Sequence, residues 1–153
     1  EQMALRQMKD EEDGDPLLRV EHNFSCEVDP FKQAYLARNF DSILYPDIGK
    51  LCDNPPRDVY GRPTKLPDFN LFVAGTSCKN FSGLRTKFKL DIEAKGCSGE
   101  TFLAAVELLL KETPEFAIFE NVIGAPWEKM KEYITGRIKL DNCSSAKQIG
   151  EVK

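Results

Sequence analysis

The sequence predicts an α/β fold, with a mostly parallel sheet and flanking helices, for two reasons. Short apolar runs alternate along the chain with segments of helical character, which is the pattern of strand–helix–strand units. The runs at 71–74 and 116–119 are continuously apolar, which is typical of buried strands. With 153 residues, the chain is long enough for one domain or a large piece of one.

The first half of the chain contains a predicted strand, a helix and a short strand or turn. Residues 2–9 resemble the tail of a helix, and residues 17–28 form a strand with its entry. Asp29 and Pro30 mark a helix start, because Asp is a favoured N-cap and Pro fits the first helical position. The residues that follow at helical spacing are Phe31, Ala34, Tyr35 and Arg38. We expect a short strand or turn at 43–48 and an irregular loop at 53–69, which is rich in Pro and charge.

The second half begins with the buried strand at 70–75, followed by a long loop. Ser98 is a candidate cap for a helix at 99–112, which Pro114 terminates. A second buried strand is predicted at 116–120. Pro126 then opens a helix that continues to about residue 135.

The composition limits the possible functions. The net charge of −4 gives no general attraction to nucleic acid, so any phosphate binding must come from a local patch. No apolar stretch approaches the roughly 18 residues that cross a bilayer, so we expect no membrane association. The five cysteines include no C-x-x-C pair, and His22 is the single histidine. This pattern disfavours a metal site and favours a reducing compartment, with His22 as a structural residue.

A cysteine and a carboxylate follow the two apolar runs. Cys78 comes shortly after the strand at 70–75, and Glu120 ends the strand at 116–120. The ends of parallel strands meet at one edge of a sheet, where open α/β folds bind ligands. A thiolate and a proton donor at such an edge suit the addition of sulfur to an electron-poor ring while an acid protonates the ring nitrogen.

Several segments, in order along the chain, resemble the motifs of cytosine carbon-5 DNA methyltransferases. They are Cys26-Glu27-Val28-Asp29 with Arg38-Asn39-Phe40, Pro46-Asp47-Ile48, the loop from Ala74 to Ser82, and Glu120-Asn121-Val122. The similarity spans roughly residues 17–135. It implies part of a Rossmann-like methyltransferase fold that uses S-adenosyl-L-methionine, with other domains in the same longer chain. It also implies a nuclear protein if the source is a eukaryote, and otherwise a cytoplasmic one.

The resemblance implies a catalytic role for three residues. Cys78 is the nucleophile, although an inert buried thiol is the ordinary alternative. Glu120 protonates the ring nitrogen of cytosine, which requires burial to favour the protonated carboxyl; alternatively it merely ends the strand. Asn121 orients the loop, and a purely structural role is an equal alternative. Cys97 also lies near a helix start, where a thiolate is favoured, but it has no partner motif.

The cofactor residues implied by the resemblance lie in two pairs. Glu27 would accept hydrogen bonds from the ribose hydroxyls, and Val28 would face the adenine. Asp47 would accept from the adenine amino group, and Ile48 would pack against the ring. Taken alone, Glu27 would be a solvated charge and Asp47 a turn residue.

A basic segment follows the nucleophile and is the candidate DNA contact. Its basic residues are Lys79, Arg85, Lys87, Lys89 and Lys95, against Asp91 and Glu93. A loop of this charge could close over a phosphate backbone and an extruded base. The alternative is an ordinary solvated face. Lys79 would also favour the thiolate of its neighbour electrostatically.

The chain departs from the family pattern in two ways. Ser77 and Lys79 stand where the family has Pro before the nucleophile and Gln after it, which resembles a divergent eukaryotic branch. The cofactor glycine loop and the target-recognition region are absent, so we expect residues 1–153 to be an inactive fragment of a catalytic domain. Two other functions stay open, a catalytically silent scaffold or regulatory partner and an RNA cytosine methyltransferase.

Overall fold

The protein is described by a computed structural model that covers residues 20–79, 92 and 97–137. The helices and strands within these residues are β1 (Phe24–Cys26), α1 (Pro30–Asn39), β2 (Ile43–Tyr45), a 3-10 turn (Ile48–Lys50), β3 (Leu71–Gly75), α2 (Cys97–Glu112), β4 (Phe116–Glu120) and α3 (Trp127–Arg137). Both strand pairs, β1 with β2 and β3 with β4, are parallel. The predicted α/β class is therefore confirmed.

No helix in this part of the chain is long and apolar enough to cross a membrane. The helix tail predicted at 2–9 lies outside the described residues.

The chain forms two units, of which the first comprises residues 1–47 and 53–68 and the second residues 48–52 and 69–153. In the first unit, β1 and β2 pair from Phe24 opposite Ile43 to Cys26 opposite Tyr45. The strand β1 is shorter than the predicted 17–28, since residues 20–23, 27 and 28 lie outside it; residues 17–19 are outside the described part of the chain.

Helix α1 begins as the sequence predicts. The Asp29 carboxylate accepts a hydrogen bond of 2.9 Å from the backbone N–H of Phe31, and Pro30 occupies the first helical position. The apolar spacing does not produce a buried face, however. Phe31 is 88% exposed and Tyr35 64% exposed, because no described element of this unit packs over them and α1 buries no residue. The spacing correctly predicts the helix but not its packing.

The loop at 53–68 is irregular, as predicted, but it is ordered around one buried carboxylate. Asp58 accepts hydrogen bonds from the backbone N–H groups of Tyr60 and Arg62, each at 2.9 Å. The Arg62 guanidinium also contacts its second oxygen through Nε and Nη2, both at 2.7 Å. Burial opposes ionisation, but these hydrogen bonds and the Arg62 charge outweigh it and hold the pKa of Asp58 below its usual range. The backbone N–H of Val59 donates to the carbonyl of Leu44 at 2.9 Å, so the loop adds to the open edge of β2.

In the second unit, β3 and β4 pair along their whole length, from Leu71 opposite Phe116 to Gly75 opposite Glu120. One face of this pair packs on the helices. The Phe119 ring lies 6.0 Å from that of Phe72 and 5.8 Å from that of Phe102 on α2. The buried cluster under Phe119 consists of Ile92, Phe102, Val106, Ala125 and Met130.

The opposite face of β3 and β4 is exposed, which corrects the prediction that both strands are buried. Val73, Phe116 and Ile118 are 44%, 65% and 52% exposed. Side chains alternate between the two faces of a strand, and the described helices of this unit cover the side of Phe119. A continuously apolar strand has two apolar faces. The described residues bury only one face of β3 and β4.

Helix α2 begins two residues earlier than predicted. It spans Cys97–Glu112, so Ser98 lies in the first turn rather than at the N-cap, and it is fully buried. The helix ends at Thr113, which has a left-handed φ of 47° and donates its N–H to the Leu109 carbonyl at 3.0 Å. Pro114 follows, as the sequence predicts for a helix end. Helix α3 lies within two residues of its predicted bounds.

Candidate catalytic and cofactor sites

The strand register places Glu120 beside the start of the nucleophile loop. Gly75 and Glu120 form the last residue pair of β3 and β4, and Cys78 lies three residues beyond Gly75. A Cβ atom at Gly75 would lie 3.4 Å from Glu120 Oε2, so the carboxylate extends over the glycine. Cys78 is a free, half-buried thiol. Both predicted catalytic residues therefore belong to the same edge of one strand pair.

Asn121 ties the two strand ends together. Its Nδ2 donates to the Thr76 hydroxyl at 2.8 Å and to the Thr76 carbonyl at 3.2 Å. Its Oδ1 accepts from the backbone N–H of Val122 at 2.8 Å. A single amide thus fixes the segment after Glu120 and the segment before Cys78. Thr76, which the sequence did not single out, receives two of these bonds.

The residue before the nucleophile is held by the first two turns of α2. The backbone N–H of Ser77 donates to Thr101 Oγ1 at 3.3 Å, and the hydroxyl groups of Ser77 and Ser98 lie 3.4 Å apart. The Thr101 hydroxyl in turn donates to the Ser98 carbonyl at 3.2 Å. The sequence predicts Ser98 only as a cap and gives Thr101 no role. The signal that could have found it was Ser77 itself, because replacing Pro adds an N–H that needs an acceptor.

Two expectations at this edge need correction or lie beyond the described residues. Glu120 is exposed, so the described residues do not supply the burial expected of a proton donor, because the face of β4 that carries Glu120 has no described cover. Lys79 is exposed as well. Arg85, Lys87 and Lys89 lie outside the described residues, and their contact with DNA stays a prediction.

The predicted cofactor carboxylates follow the two strands of the first unit. Glu27 comes directly after β1, and Asp47 lies two residues after β2. Because the strands are parallel neighbours, both carboxylates lie at the carboxyl edge. The charges of both carboxylates act on the Cys26 thiol, the last residue of β1. Burial, with further contributions from the charges of Asp47 and Glu27, raises its pKa to about 12. The acceptors that ribose and adenine would need are thus grouped at one edge.

Local contacts orient Glu27. Its Oε1 accepts from the backbone N–H of Asp29 at 2.9 Å, and Lys32 Nζ lies 3.7 Å from Oε2. Val28 is 77% exposed, so its side chain is accessible for an apolar contact. Ile48 belongs to the second unit, where the 3-10 turn packs against α2. Glu27, Val28 and Asp47 therefore belong to the first unit, whereas Ile48 belongs to the second.

His22 has a structural environment. Its Nε2 shares a hydrogen bond of 2.8 Å with the Ser25 hydroxyl. Its ring meets Phe40 edge-on at 5.1 Å. Its Nδ1 is buried without a hydrogen-bond partner among the described residues. The carboxylates at the carboxyl edge follow β1, whereas His22 precedes it.

Comparison with known proteins shows a family similarity over most of the chain. A family model described as C-5 cytosine-specific DNA methylase matches residues 3–138. The chain is 43% identical over 126 residues to a protein of Cryptococcus neoformans var. grubii named DNA (cytosine-5-)-methyltransferase DMT5, an alignment that covers 81% of this chain and 5% of that protein. A protein of the same name from Verticillium dahliae is 25% identical over 184 residues, covering 86% of this chain and 8% of that protein.

A bacteriophage protein is similar over a shorter region. The orphan methyltransferase M.SPRI of Bacillus phage SPR is 40% identical over 62 residues, covering 39% of this chain and 13% of that protein. The chain therefore spans only a small part of the length of the curated relatives it matches.

Proposed function

Because the chain belongs to the C-5 cytosine-specific DNA methylase family, we propose that it is the central part of the catalytic domain of a DNA (cytosine-5-)-methyltransferase. The donor of the methyl group is S-adenosyl-L-methionine, the substrate is DNA, and further domains of the same longer protein complete the enzyme. Two of the similar proteins are fungal, which supports a eukaryotic branch and a nuclear location, where chromosomal DNA lies.

The reaction proposed for this edge begins with the thiolate of Cys78. It adds to carbon 6 of a cytosine extruded from the duplex. Glu120 gives a proton to the ring nitrogen, so that negative charge does not accumulate on the ring and carbon 5 becomes nucleophilic. Carbon 5 would then take the methyl group as the bond from that group to the sulfonium sulfur breaks, which leaves a neutral thioether. Loss of the carbon-5 proton to water expels Cys78 as the thiolate, and the ring nitrogen returns its proton to Glu120.

The bound cofactor would supply an electrophilic methyl group on a sulfonium. The residues of the first unit fit its nucleoside part by their chemistry. Glu27 and Asp47 are acceptors for the hydroxyl and amino groups, and the exposed Val28 offers an apolar contact. Oε1 of Glu27 is engaged by a backbone N–H, which leaves Oε2, beside Lys32, as the oxygen that would accept from a ribose hydroxyl.

The observation that carries the proposal is the register of β3 and β4. It sets Glu120 beside Gly75, three residues before Cys78, and the Asn121 amide bonds to Thr76 between them. The same register would hold in a silent relative. The exposed Glu120, together with Ser77 and Lys79 in place of the family residues, therefore keeps a scaffold or regulatory role as the second candidate. The two DMT5 relatives are named DNA methyltransferases, which favours DNA over RNA as the substrate.

The test uses DNA that contains 5-fluorocytosine, incubated with the full-length protein and S-adenosyl-L-methionine. Fluorine blocks the final elimination, so we expect a covalent adduct that maps to Cys78 by mass spectrometry. Cys78→Ser should abolish the adduct, whereas Cys97→Ser should leave it intact. An adduct on Cys97 would refute the assignment of the nucleophile. The absence of any adduct from a preparation that binds the cofactor would favour the scaffold role.

A further inference from the structure

Ser77 stands directly before Cys78, where the family pattern that the sequence resembles has a proline. A proline there would fix φ near −65° and would carry no backbone N–H. Ser77 has neither property. Its backbone is freer, and its N–H and hydroxyl both need hydrogen-bond partners. The segment that leads into Cys78 therefore lacks the restraint that a proline would give.

The first two turns of α2 restrain this segment through hydrogen bonds. Thr101 accepts the Ser77 N–H, and the donors and acceptors are consistent, since the Thr101 hydroxyl gives its own proton to the Ser98 carbonyl. Ser98 is fully buried, so its contact with the Ser77 hydroxyl is shielded from competing water on that side. These three residues, Ser77, Ser98 and Thr101, are hereafter the serine–threonine clamp.

We propose that Thr101 and Ser98 are positioning residues for Cys78, and that the serine–threonine clamp restrains the loop with hydrogen bonds, as the ring of a proline at position 77 would restrain it covalently. This inference rests on the proposed role of Cys78 as nucleophile. In this interpretation, the serine at position 77 changes how the loop is restrained and does not abolish the function of Cys78. Neither Thr101 nor Ser98 touches the reacting atoms.

The first test measures trapping of the full-length protein on 5-fluorocytosine DNA. Thr101→Val keeps the shape and β-branching of the side chain but removes the acceptor of the Ser77 N–H and the donor to the Ser98 carbonyl, of which only the first bond reaches the loop. We expect it to lower the trapping rate at saturating DNA about fivefold to tenfold, the effect of one hydrogen bond, with the half-saturating DNA concentration unchanged. Thr101→Ser, which keeps the hydroxyl, should restore most of the rate. The matched control is Thr135→Val, which removes a hydroxyl bonded only within α3.

The second test asks whether Thr101 acts through the Ser77 N–H. In a Ser77→Pro background there is no N–H to accept, so adding Thr101→Val should change the trapping rate less than twofold. If Thr101→Val slows trapping equally in both backgrounds, Thr101 serves the stability of α2 instead and the inference is wrong. The inference is also wrong if Thr101→Val leaves the rate in the Ser77 protein unchanged. Thermal unfolding of every variant checks that the helix is retained.

A readout independent of catalysis separates this inference from the proposed function. Iodoacetamide labelling of Cys78, mapped by mass spectrometry, should accelerate severalfold in Thr101→Val because a released loop exposes the half-buried thiol. Labelling of Cys52 serves as the internal reference and should not change. If the unmodified protein forms no adduct with DNA, the proposed function fails while accelerated Cys78 labelling still supports the clamp. Unchanged Cys78 labelling in Thr101→Val would refute the clamp, whether or not trapping occurs.

Discussion

Replacing Asn121 by alanine should uncouple the nucleophile loop from the strand that carries the proton donor. The Asn121 amide makes three hydrogen bonds, two to Thr76 and one from the N–H of Val122. No other described side chain contacts both segments through hydrogen bonds of this kind. The substitution therefore removes a connection between the residue after Glu120 and a residue two positions before Cys78.

The size of the effect follows from the number of bonds. At about 1 kcal/mol for each hydrogen bond, three bonds amount to about 3 kcal/mol, or about 150-fold in rate if all of it positions the reacting groups. Thr76→Val removes only the 2.8 Å bond to the hydroxyl and should slow the reaction about fivefold. In the Thr76→Val background, Asn121→Ala removes the two remaining bonds and should cost about 30-fold rather than 150-fold.

The assay is the rate of adduct formation by the full-length protein on 5-fluorocytosine DNA at saturating DNA and cofactor. Cofactor affinity, measured by calorimetry, is the control that a local effect should leave unchanged. Two results would refute the reasoning. One is a slowing of less than about threefold in Asn121→Ala, which would mean that the three bonds do not position the reacting groups. The other is full additivity of the two substitutions, because residues that share a bond must couple.

Two further predictions concern cysteine chemistry and DNA contact. Because burial and the charges of Asp47 and Glu27 raise the pKa of Cys26 to about 12, iodoacetamide at pH 8 should label Cys26 in native protein far more slowly than in urea. Equal rates in both would contradict the raised pKa. The stabilising effect of keeping this thiol neutral is present below the pKa of an unfolded cysteine and is lost as the pH rises toward 12, so Cys26→Ser should weaken the fall in stability at alkaline pH. Replacing Arg85, Lys87 and Lys89 together by alanine should flatten the salt dependence of DNA affinity by roughly 1 unit for each phosphate that is no longer neutralised, up to about 3. An unchanged slope would identify these charges as a solvated face.

Local sequence signals predicted the elements of the fold well where the signal acts within a few residues. The bounds of β4 and the Asp29 cap of α1 agree with the structure because strand length and helix capping are decided locally. The ordered loop around Asp58 was predicted only as irregular. Its signal was present, since Asp followed closely by Gly61 at a φ of 77° is typical of a side-chain-stabilised turn.

Burial and long-range hydrogen bonds were predicted less well. Phe116 and Ile118 are as apolar as the residues of a buried strand, yet exposure depends on whether another segment covers them, which the strand itself does not encode. Ser98 has the chemistry of a cap, but its hydroxyl lies next to that of Ser77, 21 residues away. The family motifs placed Cys78, Glu120 and Asn121 at the ends of the two strands. The means by which α2 and Asn121 restrain the loop required the three-dimensional arrangement.

The two proposed catalytic groups differ in how far the described residues prepare them. Thr101, Ser98 and Asn121 hold Thr76 and Ser77 through hydrogen bonds before any substrate arrives, so the segment directly before Cys78 is pre-organised. Glu120 is exposed to water, and a hydrogen bond between its carboxyl and a ring nitrogen gains strength only when water is excluded. An extruded cytosine, with a closing basic loop above it, would provide that exclusion. In the proposed mechanism, substrate binding would therefore complete the proton donor, whereas the fold already holds Thr76 and Ser77, directly before Cys78.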